Sequence, residues 1–171
     1  MTMAEILKTF DSVGGFSVDN TTLVNDLKDV QNVNSLQVKN SFYDDSNVTH
    51  YIMRGINTSI LSVDNVNTSI TLPNNTINFV EASIIAINDN GSATLNTKLE
   101  SAIQVSINGT LTELSTMTTT IKDNIPLGQT WTIAPFVGGA ANQYAYTTSR
   151  SGTTRTVKWV AYVKVVSIEW T

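Results

Sequence analysis

Apolar residues are spaced differently in two parts of this chain. Over residues 14–76 they come as short pulses, Phe16-Ser-Val18, Leu36-Gln-Val38 and Ile60-Leu61 among them, separated by Asn, Asp and Ser. Pulses of this size predict very short strands joined by turns, and none is long enough to bury a face alone. Two echoes recur in the stretch: Ser17-Val-Asp-Asn20 returns as Ser62-Val-Asp-Asn65, and Asn57-Thr-Ser-Ile60 returns as Asn67-Thr-Ser-Ile70. Ahead of it, residues 4–10 (AEILKTF) could form one helical turn, too short to persist without docking on something.

From residue 77 onward the pattern is that of a compact β domain. Residues 78–88 (NFVEASIIAIN) are rich in β-branched side chains and end at Asp89-Asn-Gly91. Asn-Gly is a strong hairpin signal, so a return strand is predicted over 92–99. Residues 102–107 alternate, and Asn108-Gly109 turns them into 111–114; residues 116–121 read as strand or irregular structure. Residues 129–137 alternate with Trp131, Ile133, Pro135 and Val137 on one side, and Pro135 assigns the segment's end to an edge or a bulge. Tyr144 and Tyr146 share one face of the next strand.

The last predicted strand, 153–170, is apolar on both sides. Val157, Trp159, Ala161, Val163 and Val165 share one face, and Val160, Tyr162, Val166 and Ile168 share the other with Lys158 and Lys164. A strand apolar on both faces is buried on both. In a sandwich one face packs inward, so the other is expected to meet a neighbour. The whole pattern predicts an all-β chain: an extended N-terminal arm of short strands (1–76) for anchoring and oligomerisation, then a C-terminal antiparallel β-sandwich, jelly-roll-like, of seven or eight strands (77–171). No βαβ alternation is visible.

Composition narrows the function. Asn, Ser and Thr make up 59 of 171 residues, with one His and no Cys. Thr favours strands and Asn and Ser favour turns, so hydrogen-bonding groups abound while nucleophiles, bases and soft metal ligands are scarce. The charged fraction, 14%, is well under the usual ~25%. A polar surface with few charges suits close packing against other proteins, because few charges must be desolvated. Net charge is −4 and no basic stripe exists, which argues against nucleic acid as a partner. No run approaches the ~18 apolar residues of a membrane helix. The first ten residues carry one Lys and no long apolar block, unlike a secretory signal. The seven Asn-x-Ser/Thr triplets follow mostly from composition.

Searches for chemistry find little. His50 has no companion ligands apart from Asp44-Asp45, and is read as a packing or surface residue. Phosphate loops and nucleophile elbows are absent. Glycoside cleavage needs two carboxylates across one cleft; Asp89, Glu81 and Glu113 would have to meet in a groove to supply them. No catalytic residue, cofactor or metal site is expected, and the chain is read as not an enzyme. Trp131, Tyr144, Tyr146, Tyr162 and Trp170 are candidates for an oligomer interface or for stacking on a sugar ring. Ile6, Leu7, Phe10 and Phe16 are candidates for anchoring.

Several segments resemble small structural and fibre-like virion proteins of tailed phages infecting marine bacteria, cyanophages among them. They are residues 8–18 (KTFDSVGGFSV) with Asn20-Thr-Thr22, residues 51–57 (YIMRGIN), residues 72–79 (LPNNTINF) and residues 152–162 (GTTRTVKWVAY). The resemblance implies an oligomeric, trimeric fibre, knob or decoration protein, assembled in the host bacterial cytoplasm and residing in the virion. Its partners would be copies of itself, capsid or tail proteins, and in a receptor role a host surface glycan. The alternatives are a carbohydrate-binding receptor module and, further off, a glycan depolymerase.

Overall fold

A computed structural model describes residues 16–18, 21–25, 27, 29–31 and 33–170. The chain divides into two compact units, Met1–Val33 and Asn34–Thr171. In the first, β1 (Phe16–Val18) pairs antiparallel with β2 (Thr21–Val24). A turn follows in which the Asn25 side-chain oxygen accepts the Asp29 N–H at 2.8 Å, and Val24 bridges to Val30. The helical turn predicted over 4–10 lies outside the described residues.

The second unit is all-β. Its strands are β3 (Ser35–Lys39), β4 (Ser46–Ile56), β5 (Ser59–Ile60), β6 (Ile70–Thr71), β7 (Thr76–Asn88), β8 (Thr94–Val105), β9 (Leu111–Asp123), β10 (Thr130–Phe136), β11 (Gln143–Ser151) and β12 (Val157–Glu169). Six of them form one antiparallel sheet in the order β3-β4-β12-β7-β8-β9. A smaller sheet has β11 at its centre, with β10 on one side and the short β5 and β6 on the other. The inner faces pack together in a sandwich-like arrangement. The core is made by Met53, Val80, Ile84, Leu99, Ile103 and Trp159 of the large sheet against Leu61, Ile70, Trp131, Tyr144 and Tyr146 of the small one and its flanking segments. Each fully buried aliphatic side chain contributes about 1.5–3 kcal/mol.

The all-β expectation and both Asn-Gly hairpins hold. Gly91 and Gly109 have φ of 73° and 77°, in the turns that join β7 to β8 and β8 to β9. Pro135 sits on β10, an edge strand, where its missing N–H costs no ladder bond.

The boundary expected at 76/77 is corrected. Residues 34–76 belong to the same compact unit as 77–171, and β4 pairs along its whole length with β12. Strand β4 escaped sequence reading because both its faces mix apolar and polar side chains. Thr49 and Met53 are buried on one face, while Val48, His50, Ile52 and Arg54 lie on the other. Without a one-sided apolar pattern, an eleven-residue strand looks like scattered pulses.

Asparagine carries much of the turn geometry. The non-glycine residues with positive φ, among those described, are Asn57, Asn67, Asn75 and Asn142, the residue type that tolerates the left-handed region best. The repeated Asn-Thr-Ser-Ile is therefore a structural repeat. In each copy the Asn turns the chain, at φ 60° and 65°, and the Ile lands on β11, Ile60 opposite Thr147 and Ile70 opposite Tyr144.

Asn57 also ties the sheets together. Its N–H donates to the Val157 carbonyl at 2.7 Å, and its side-chain oxygen accepts the Val157 N–H at 2.9 Å. Its own carbonyl accepts the Trp159 indole N–H and the Thr148 hydroxyl, both at 2.9 Å. One turn residue thus holds β12 of the large sheet and β11 of the small one. Asn142 plays a similar part: its N–H donates to the Gly109 carbonyl at 2.8 Å, and its side-chain amide donates to the Leu72 carbonyl at 2.7 Å. Gly109 must be glycine on two counts, its positive φ and the Asn142 side chain lying where a Cβ would go.

These bonds set an order of costs. Asn57→Gly keeps the backbone conformation and loses the side-chain acceptor, for about 1 kcal/mol. Asn57→Val loses the acceptor and forces a β-branched residue to positive φ, adding about 1–3 kcal/mol more. Urea denaturation should rank the variants in that order; equal losses would contradict the role assigned to the left-handed turn.

Candidate assembly surface

The alternation that fills the core places every second residue of β4, β7, β8 and β12 on the outer face of the large sheet. The small sheet lies on the other side, so this face has no protein layer over it within the second unit. Its residues form rows across the strands, fixed by the register. One row is Val38, Val48, Val166, Phe79 and Ala102, from β3 to β8. Beyond it, toward the strand end, Ile168 lies opposite Ile77. On the other side come the row Ile52, Tyr162, Ser83 and Lys98, then Arg54, Val160, Ile85 and Asn96, then Ile56, Lys158, Ile87 and Thr94.

Twelve large apolar side chains of this face (Leu36, Val38, Ile52, Ile56, Ile77, Phe79, Ile85, Ile87, Val160, Tyr162, Val166 and Ile168) each keep 37% or more of their surface exposed. With roughly 150–250 Å² for a large side chain, the face retains on the order of 1,000 Å² of apolar surface. The largest contiguous patch on a typical monomer is ~300–600 Å²; here the area is shared between the two sides of a charged row. Large exposed apolar areas mark interaction sites on protein surfaces, which makes this face the candidate.

A charged row crosses its middle. In strand order from β4 it reads His50, Lys164, Glu81, Glu100. Two carboxylates directly opposite each other would repel, and each has its own lysine. Lys164 Nζ lies 3.2 Å from Glu81 Oε2, and Lys98 Nζ lies 2.5 Å from Glu100 Oε1. Beside the row, His50 Nδ1 and the Tyr162 hydroxyl are 2.7 Å apart in a hydrogen bond, with the rings stacked at 5.9 Å. His50 is thus a surface hydrogen-bonding residue, as expected.

The five candidate aromatics separate. Tyr162 and Trp170 are about half exposed, whereas Trp131, Tyr144 and Tyr146 are buried in the core. The expectation that all five serve an interface or stack on a ligand is corrected for these three. Trp131 meets Trp159 edge-on at 6.4 Å, and Tyr144 meets Tyr146 edge-on at 5.3 Å. They bridge the two sheets, and reaching a ligand would mean opening the sandwich. Ile6, Leu7 and Phe10 lie outside the described residues. The backbone of Phe16 opens β1, and its side chain is likewise outside what is described.

Nor do Asp89, Glu81 and Glu113 share a groove. Glu81 is on the outer face, Glu113 lies opposite inward-facing Ile103, and Asp89 follows the end of β7, where Arg155 pairs with it at 3.1 Å. The Arg155 guanidinium holds the Asp89 carboxyl below the usual carboxylate range. Next to this pair is an open polar cavity of about 560 Å³ between the turns at 88–92, 126–129 and 152–155. Its walls are mostly amides and hydroxyls, with Pro126, Gly152 and one arginine, and Asp89 beside it is paired with that arginine.

The sequence pattern of β12 announced its own outer face. It did not reveal that β7 and β4 extend the patch with Phe79, Ile85 and Ile52, nor that Glu81 and Lys164 would meet, since these depend on strand order and register.

No protein-family profile matches the chain, and no curated protein matches it. Among solved structures it is similar to tailspike protein gp49 from Acinetobacter baumannii bacteriophage Fri1, a capsular polysaccharide depolymerase. The likeness has 13% identity and a TM-score of 0.41, over 80% of this chain and 20% of the tailspike. The chain therefore spans about a fifth of that protein's length, and a similarity of this size carries no activity or substrate over to it.

The buried tyrosines have a consequence for pH. Burial pushes the Tyr144 phenol up to about 12, and burial, aided by the neighbouring Tyr144, drives Tyr146 well above its ordinary value of 10. The folded state keeps both protons where the unfolded chain loses them, so the contribution of these two tyrosines to stability is constant below about pH 10 and falls above it, by up to about 1.4 kcal/mol per pH unit for each tyrosine. In an alkaline titration of tyrosinate absorbance, two of the five tyrosines should ionise only as the protein unfolds. Tyr144→Phe should flatten the alkaline loss of stability; an unchanged slope would contradict this assignment.

Proposed function

We propose that this protein is a structural component of a tailed-phage particle, of fibre, knob or decoration type, which works by burying the outer face of its large sheet against other protein chains. The observation that carries the proposal is that face: twelve large, exposed apolar side chains on one side of the large sheet. An isolated sheet domain with this face bare would be prone to aggregate. The low charge of the chain, 14%, supports the same reading, because little must be desolvated on packing. The segments resembling phage structural proteins supply the particle context. One of them, residues 72–79, contributes Ile77 and Phe79 to the face, and another, residues 152–162, contributes Val160 and Tyr162.

In this account the chain holds its place by contact, and no catalytic residue is assigned. Ile6, Leu7, Phe10 and Phe16 would attach it to the particle, and the outer face would join it to neighbouring chains.

The test is to place charge at the centre of the patch. Phe79→Lys and Ile85→Lys point into solvent in the isolated chain, so circular dichroism and thermal stability should stay close to wild type, within about 0.5 kcal/mol. Association, read by sedimentation velocity of the full chain and by incorporation into particles, should be lost. Variants that assemble as well as the wild type would show that the face is not the contact surface.

A further inference from the structure

The charged row gives the apolar face a direction, and from it we infer that the face is built to pack against the same face of a second copy of this chain, around a two-fold axis running along the strands between β7 and β12. The inference rests on the reading of this face as an assembly surface and names its occupant.

The argument is one of self-complementarity. A two-fold along the strands keeps each row at its own height and reverses its left and right. Whatever stands on β12 then faces whatever stands on β7 of the partner, and β4 faces β8. Applied to the charged row, Lys164 meets the partner's Glu81 and Glu81 meets the partner's Lys164, so the pair already 3.2 Å apart in one chain becomes an alternating square of four charges. His50 faces the partner's Glu100. The same operation matches the apolar rows: Val166 meets Phe79, Val160 meets Ile85, Ile168 meets Ile77, and Val48 meets Ala102. The remaining rows match less closely, since Ile52 would face the partner's Lys98 and Lys158 the partner's Ile87; the complementarity an isologous contact needs is carried by the charged row and the apolar positions named above. Among the charges of the face, Lys164 and Glu81 are the pair that the two-fold sets against each other's opposite sign.

Size and geometry agree. Sheets packed face to face keep their strand directions within about 30° and interleave side chains across ~10 Å, the arrangement that a two-fold along the strands produces. The apolar area, on the order of 1,000 Å² per chain, matches the ~800 Å² per partner of a standard stable interface. The charged square would sit desolvated at its centre, where ion pairs fix register and partner choice more than they add affinity.

That last point makes the inference testable without disturbing the fold. The double variant Glu81→Lys with Lys164→Glu keeps an ion pair within each chain and regenerates the square between two identical chains. Mixed with wild type, it sets lysine against lysine and glutamate against glutamate. The expectation for the full chain at micromolar concentration is that wild type and double variant each form dimers by native mass spectrometry. On mixing and equilibration, heterodimers should fall about tenfold or more below the statistical half. The single variant Lys164→Glu should dimerise more weakly than either.

Heterodimers at the statistical share would overturn the register. A wild-type trimer, the stoichiometry that the phage resemblance implies, would overturn the two-fold, and so would a monomer. A monomer whose outer face binds an apolar fluorescent dye, with binding lost in Ile85→Lys, would leave the assembly reading standing with a different protein as occupant. A monomer that binds no dye would remove both.

Discussion

Strand β12 runs through the large sheet with apolar side chains on both of its faces, and the small sheet covers only one of them. The constraint shapes the rest of the molecule. On the inner face the chain spends its largest side chains, Trp159, Trp131, Tyr144 and Tyr146, bridging two sheets of unequal size. On the outer face it leaves a surface with the composition of half an interior. A protein that kept only the first half of this design would be a stable, isolated sandwich. The second half is what the proposed assembly role would cover.

Asparagine makes the arrangement possible within a short chain. Strands β5 and β6 are two residues each, too short to hold a place in a sheet through their own ladder bonds. Left-handed asparagines at 57 and 67 aim them at β11, and the Asn57 backbone and side chain lock that turn to β12 and to Thr148. Hydrogen-bonded turns replace apolar bulk at the joints. The abundance of Asn and Thr is thus explained by turn geometry and strand propensity.

How much of this was legible in the sequence follows from which interactions are local. The Asn-Gly hairpins, the edge position of Pro135 and the two faces of β12 depend on near neighbours along the chain, and each could be read directly. Strand β4 could not, because its outer face mixes Val48 and Ile52 with His50 and Arg54 and its inner face includes Thr49; only pairing with β12 makes it a strand. The same blindness moved the expected domain boundary too far along the chain. The aromatics of β10 and β11 were recognised as a cluster, but their burial follows from the small sheet folding onto the large one. The site was half visible: β12 signalled an uncovered face, while the contributions of β7 and β4 and the Glu81–Lys164 pair come from register across strands far apart in sequence. The recurrence of Asn-Thr-Ser-Ile, weak as a sequence match, marks two turns of one kind.

The central claim is that the outer face of the large sheet is covered in the working state. Hydroxyl-radical footprinting across a concentration series reads this directly, because Phe79, Tyr162 and Ile85 report on that face while Ile60, on β5 of the small sheet, and Leu127, in the turn before β10, report on exposed surface outside it. The account predicts that oxidation of Phe79, Tyr162 and Ile85 falls as the protein associates while that of Ile60 and Leu127 holds steady. Steady oxidation of the three face residues in the associated protein, with protection appearing at Ile60 or Leu127 instead, would contradict it.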